Sequence, residues 1–92
     1  MFISLWKEVK KMLTLCFQPV HGGITKTVDN VESLSCIYHD GSEKIFSGYD
    51  LIESNDLISQ EIENYIVKDS YGKESMFPRN FWFISSIDMK TN

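Results

Sequence analysis

Met12 to Phe17, MLTLCF, is the stretch on which the fold class turns. Read with the residues before it, it completes a helix. Phe2, Trp6, Val9, Leu13 and Cys16 then form one stripe at spacings of four and three, with Lys7, Lys10, Lys11 and Thr14 on the other side. No proline or glycine interrupts residues 2–16. Read with the residues after it, MLTLCF is a short strand that stops at Pro19. Periodicity does not separate the two readings for so short an apolar run. The unbroken stripe makes an amphipathic N-terminal helix the expectation.

Beyond Pro19 the punctuation is clearer. Gln18 to Gly23, with one proline and two glycines, is a loop. Ile24 to Val28 alternates and is β-branched, as a strand should be. Asp29-Asn30 is expected to turn the chain. Residues 33–39 and 43–48 bracket Asp40-Gly41, a strong hairpin signal. A second helix is expected near 55–65. Ser54 or Asn55 would cap it, Asp56 would sit in its first turn, and Leu57, Ile58, Ile62 and Tyr65 would be its buried stripe. Tyr65 to Lys68 reads as leaving that helix toward a strand. Ser70 to Lys73 is turn-like, Glu74 to Phe77 follows as a strand, and Pro78 breaks it. Asn80 to Asp88, NFWFISSID, should be the last strand. The resulting fold class is α+β: an antiparallel sheet of four to six strands, including a hairpin near 33–48 and a C-terminal strand near 80–88, packed with the two helices.

Ninety-two residues form a single domain, 1–92. Hydrophobic content of 42% supplies a core, and charged content of 24% is ordinary for a globular chain. Two cysteines do not make the disulfide framework of a small secreted domain, and two reduced thiols are expected. No apolar run reaches the ~18–20 residues of a membrane span. MLTLCF is also too short for a signal core of ~7–15 residues, so a cytoplasmic location is expected.

Charge is unevenly spread. Residues 40–69 hold Asp40, Glu43, Asp50, Glu53, Asp56, Glu61, Glu63 and Asp69 against Lys44 and Lys68, while the flanking segments each come to a net of +1 within a total of −4. The acidity belongs to the middle third, which repels nucleic acid and attracts basic partners.

Candidate chemistry is sparse. Leu34 to Gly41, LSCIYHDG, brings a cysteine, a histidine and an aspartate together. On a strand, residues three apart face opposite ways, so Cys36 and His39 diverge and neither a shared ion nor a thiolate–imidazole pair is expected. Cys16, His21, Cys36 and His39 as a set do not have the spacing of a zinc finger or ribbon. Gly22-Gly23 is the only glycine pair, and no lysine–serine or lysine–threonine pair follows it at phosphate-loop spacing. Glu61 and Glu63, two apart on a helix, would face away from each other. Arg79 to Ser85, RNFWFIS, has alternate aromatics like an RNA-binding strand, but too few basic residues accompany it. Phe81 and Phe83 are therefore expected in the core, with Trp82 and Ile84 against a helix or at an interface. The N-terminal helix is expected to pack on the sheet rather than anchor to a membrane surface.

The sequence thus points to a small non-catalytic protein-binding module with no cofactor, no metal, no direct nucleic-acid contact and no membrane. Its expected role is stoichiometric inhibition of a basic, nucleic-acid-handling protein, in the manner of a toxin immunity protein or a phage anti-defence (anti-CRISPR-type) protein. Asp40, Glu43, Glu53, Asp56, Gln60 and Glu63 would steer that partner, with Tyr71, Arg79 and Trp82 as anchors. A single-stranded nucleic-acid binder using Phe81, Phe83 and Arg79 is the alternative, ahead of a small Cys/His metal protein.

Overall fold

A computed structural model describes residues 11–47, 50, 51, 57 and 59–91. Among the described residues the bounded elements are six strands: β1 (Lys11–Pro19), β2 (Lys26–Tyr38), β3 (Glu43–Ser47), β4 (Ile62–Asp69), β5 (Glu74–Pro78) and β6 (Trp82–Thr91). Every pairing is antiparallel, in the order β5-β4-β2-β1-β6, with β3 also on β2. The expected α+β class is overturned in favour of an antiparallel β fold.

The first helix fails on parity. Leu13, Leu15 and Phe17 are buried, while Thr14, Cys16 and Gln18 alternate with them on the other face. Leu13 and Cys16 share a face only on a helix; on β1 they lie on opposite sides. The earlier members of that stripe, Phe2, Trp6 and Val9, lie outside the described residues. The second helix, near 55–65, fails at its C-terminal half, where Ile62 already begins β4. Residues 52–56 and 58 lie outside the described residues.

Ile62 and Tyr65 are both buried although three apart, because β4 carries a bulge: Ile37 pairs Asn64 but Tyr38 pairs Ile62, leaving Glu63 unmatched. A bulge restores to one face two residues that strict alternation would separate. The same happens at Ile84 and Ile87 around Ser85 in β6, and at Val28, Val31 and Leu34 in β2. Each pair has the spacing of a helix.

β2 is also where the sheet bends. Asp29-Asn30 does not turn the chain; β2 runs through it as a bulge with Asn30 at φ 56°. A second extra residue, Glu32, follows at once on the β4 side. Asparagine tolerates the left-handed region better than most residues. Its carbonyl accepts the Ser70 N–H at 2.9 Å, but its side-chain Oδ1 is buried without a partner among the described residues. Asn30→Gly should therefore leave the urea midpoint unchanged or raise it. Asn30→Val should lower stability by about 1–2 kcal/mol.

The bend is severe enough to roll the sheet. β5 and β6 stand at opposite ends of the strand order, yet only residues 79–81 join Pro78 to Trp82. Four Cα steps reach at most about 15 Å, whereas four strand spacings in a flat sheet span about 19 Å. The two edges must curl toward each other, and the core shows that they do. Phe77 of β5 stacks on Phe17 of β1 with centroids 3.9 Å apart and planes 2° from parallel, and Trp82 of β6 meets Phe77 edge-on at 5.5 Å. Tyr65 lies 5.8 Å from Phe17, and Leu51 and Leu57 complete the buried set.

Both tight turns were legible and are built alike. Tyr38 donates to Ser42 O and Asp69 to Lys73 O, with Gly41 and Gly72 at φ 88° and 85° closing the loops.

Candidate functional site

The β2–β3 turn forms one wall of an acidic cleft. Asp40 caps the turn: its carboxylate accepts from the Ser42 hydroxyl at 2.6 Å and the Ser42 N–H at 2.8 Å. These bonds, the hydroxyl first and the backbone second, hold its pKa below the usual aspartate value. The opposite wall is the segment entering β4. His39 N–H donates to Glu61 O at 2.9 Å, and Glu61 N–H is held by the Ser59 hydroxyl at 3.2 Å. Between the walls lies a space of about 570 Å³ lined by Tyr38, Asp40, Ser42, Glu43, Lys44, Ser59 and Glu61. Three acidic residues and Lys44 thus line one space where two chain segments are tied by a backbone bond.

The residues expected to bind a partner are only partly gathered there. Asp40 and Glu43 line the cleft, and Gln60 and Glu63 are exposed on the segment beside it. Glu53 and Asp56 lie outside the described residues. Tyr71 is 84% exposed but sits on the β4–β5 turn, at the far end of β4. Arg79 donates its N–H to Glu63 O at 2.9 Å. Its guanidinium lies against the buried Tyr65, with Nε unpaired among the described residues. Trp82 is not exposed: it packs on the core beside Phe77, and Lys26 Nζ stands 5.8 Å from its ring centre.

The face assignment in β6 is the reverse of the expected one. Trp82 and Ile84 point inward, whereas Phe81 is 59% and Phe83 36% exposed. Phe81 O accepts the Val20 N–H at 2.9 Å, so Val20 joins these aromatics at the surface. Strand parity says which residues share a face but not which face is inside.

No family model, curated protein or solved structure matches this chain. The site therefore stands on its own geometry.

Glu61 is the cleft residue that sequence reading set aside, because a helix would have turned it from its neighbours. The signal was its place just before a strand that pairs the hairpin. In the LSCIYHDG segment, Cys36 is fully buried and His39 exposed, so the thiol and imidazole diverge as the pleat requires. Cys16 lies on the outer face of β1 and forms no disulfide. Among the described residues no three His, Cys, Asp or Glu side chains converge to hold a metal ion, and no helix is long and apolar enough to cross a membrane.

Proposed function

We propose that the protein is a non-catalytic binding module that inhibits a basic, nucleic-acid-handling protein stoichiometrically, and that the acidic cleft receives the partner. The observation that carries this reading is that Asp40, Glu43 and Glu61 line one open space against a single cation, Lys44, with Glu63 exposed nearby. A lysine or arginine side chain entering between the walls meets carboxylates from two segments, and charge-assisted bonds of that kind are the strong ones. The net of −6 that residues 40–69 carry in the sequence raises the encounter rate with a positive surface. The inhibited protein would lose the groove in which it holds nucleic acid, as a toxin does to its immunity protein or a host nuclease to a phage anti-defence protein. We place the activity in the cytoplasm; two thiols on opposite faces of the sheet suit a reducing compartment.

The test is a titration at low salt with two probes, an arginine-rich peptide and a single-stranded RNA. The peptide should bind in the micromolar range or tighter and weaken as salt rises. The triple variant Glu43→Lys, Glu61→Lys, Glu63→Lys should bind it at least tenfold more weakly with an unchanged melting temperature. Equal affinity in the triple variant removes the cleft from the reading.

Exposure of Phe81 and Phe83 favours one second reading, in which bases of a single strand stack on them. RNA binding that Phe81→Ala and Phe83→Ala abolish, with no binding of the peptide, would replace the first reading by the second.

A further inference from the structure

The sheet ends in three edges that are unequally protected. β3 and β5 are five residues each; β3 opens on Glu43-Lys44 and β5 closes on Pro78. β6 is ten residues long, holds neither proline nor glycine, and among the described residues bonds only β1. Short length, proline, charge and bulges are the usual guards of an edge. β6 has its Ser85 bulge and the opposite charges Asp88 and Lys90. Beyond the bulge, Ser86 to Thr91 is the longest regular edge among the described residues available as a template for pairing.

We propose that β6 joins two copies of this chain, edge to edge and antiparallel, across a two-fold axis at Met89. A two-fold axis normal to the sheet keeps both cores on one side only if it passes through a residue position rather than between two. The bulge at Ser85 leaves Ser86 to Thr91 as the regular ladder, so an axis that pairs at least three positions falls at 87, 88, 89 or 90. At 87 it sets Asp88 opposite Ser86 and forms no charge pair. At 88 it sets Asp88 against itself, and at 90 it sets Lys90 against itself. At 89 it sets position 88 of each copy opposite position 90 of the other, an aspartate against a lysine twice over. Opposite charges directly across a ladder stabilise it and like charges do the reverse, so the strand's own charges select Met89. Ile87 and Met89, only partly buried on the core side, gain cover from the second copy. The acidic cleft lies on other strands, so this surface is independent of the proposed function.

Sedimentation equilibrium over a concentration series tests the proposal on the full chain. The wild type should dimerise reversibly. Asp88→Lys and Lys90→Asp should each weaken self-association by roughly tenfold or more, as two attractive pairs become repulsive. Mixed in equal amounts, the two variants should associate again, because their charges complement each other at both pairs. That recovery also shows that each variant is folded. A Met89→Cys variant should cross-link to itself on mild oxidation more readily than an Ile87→Cys variant, since position 89 faces itself. A wild type that stays monomeric, single variants that associate as well as wild type, or a mixture that stays apart would each overturn it.

Discussion

Phe17→Ala is expected to be the most damaging single substitution in the described core, lowering stability by about 3–5 kcal/mol. The ring is fully buried, lies flat on Phe77 at 3.9 Å, and touches Tyr65 at 5.8 Å. It is therefore the contact between the β1 side and the β4–β5 side of the roll. A chain of this length has roughly 5–14 kcal/mol in total, so the variant should be close to unfolding at room temperature. Urea denaturation followed by circular dichroism measures the loss. Phe77→Ala should be costly too, and the double variant should fall short of additivity by about 0.5–3 kcal/mol because the two rings share one contact. A loss below about 1 kcal/mol for Phe17→Ala would mean that the roll is closed elsewhere.

Tyr65→Phe is the second large expectation, at about 1–3 kcal/mol. The Tyr65 hydroxyl donates to the Leu57 carbonyl at 2.5 Å in the core, and phenylalanine leaves that acceptor unpaired. The same hydroxyl makes stability depend on alkaline pH. Burial is the main reason that its pKa lies above the ordinary 10.0, with the neighbouring Arg79 partly offsetting it. The folded protein thus keeps this proton at a pH where the unfolded chain has lost it. Its contribution is fully present below pH 10.0 and is lost as pH rises through the folded-state value. Melting temperature should accordingly fall less steeply above pH 10.0 in Tyr65→Phe than in the wild type. Parallel curves would show that the phenol does not ionise in the unfolding range.

The turns were readable because their chemistry is local. Asp40-Gly41 and Gly72 need a backbone that glycine alone adopts easily, and no distant residue alters that. Alternation and β-branching mark the strands near 43–48, 74–77 and 80–88 to within a few residues, whereas the expected strands 24–28 and 33–39 are the two ends of one strand, β2. The second helix was expected for a physical reason that Ile62 and Tyr65 make plain. A bulge puts residues three apart on one face, as a helix does, and only the partner strand reveals the extra residue. Asp29-Asn30 looked like a turn for the same cause: a left-handed asparagine serves a turn and a bulge equally well. In the site, Asp40 and Glu43 are visible as a charged hairpin end, but Glu61 is brought beside them by the bond from His39 and the pairing of Ile62 with Tyr38.

By itself the sequence determined the tight turns at Asp40-Gly41 and Ser70 to Lys73, that its middle third is acidic, and that Cys36 is buried while His39 is exposed, since each follows from bonds or pleats within a few residues. Only the tertiary structure decided that MLTLCF is a strand, that Trp82 rather than Phe83 is inside, and that Glu61 joins the cleft. The first two outcomes depend on which surface of β1 and β6 meets the aromatic core around Phe17 and Phe77, and the third on the pairing of β4 with β2 beside the hairpin. A short apolar run suits either geometry until a partner strand and a core claim one side of it.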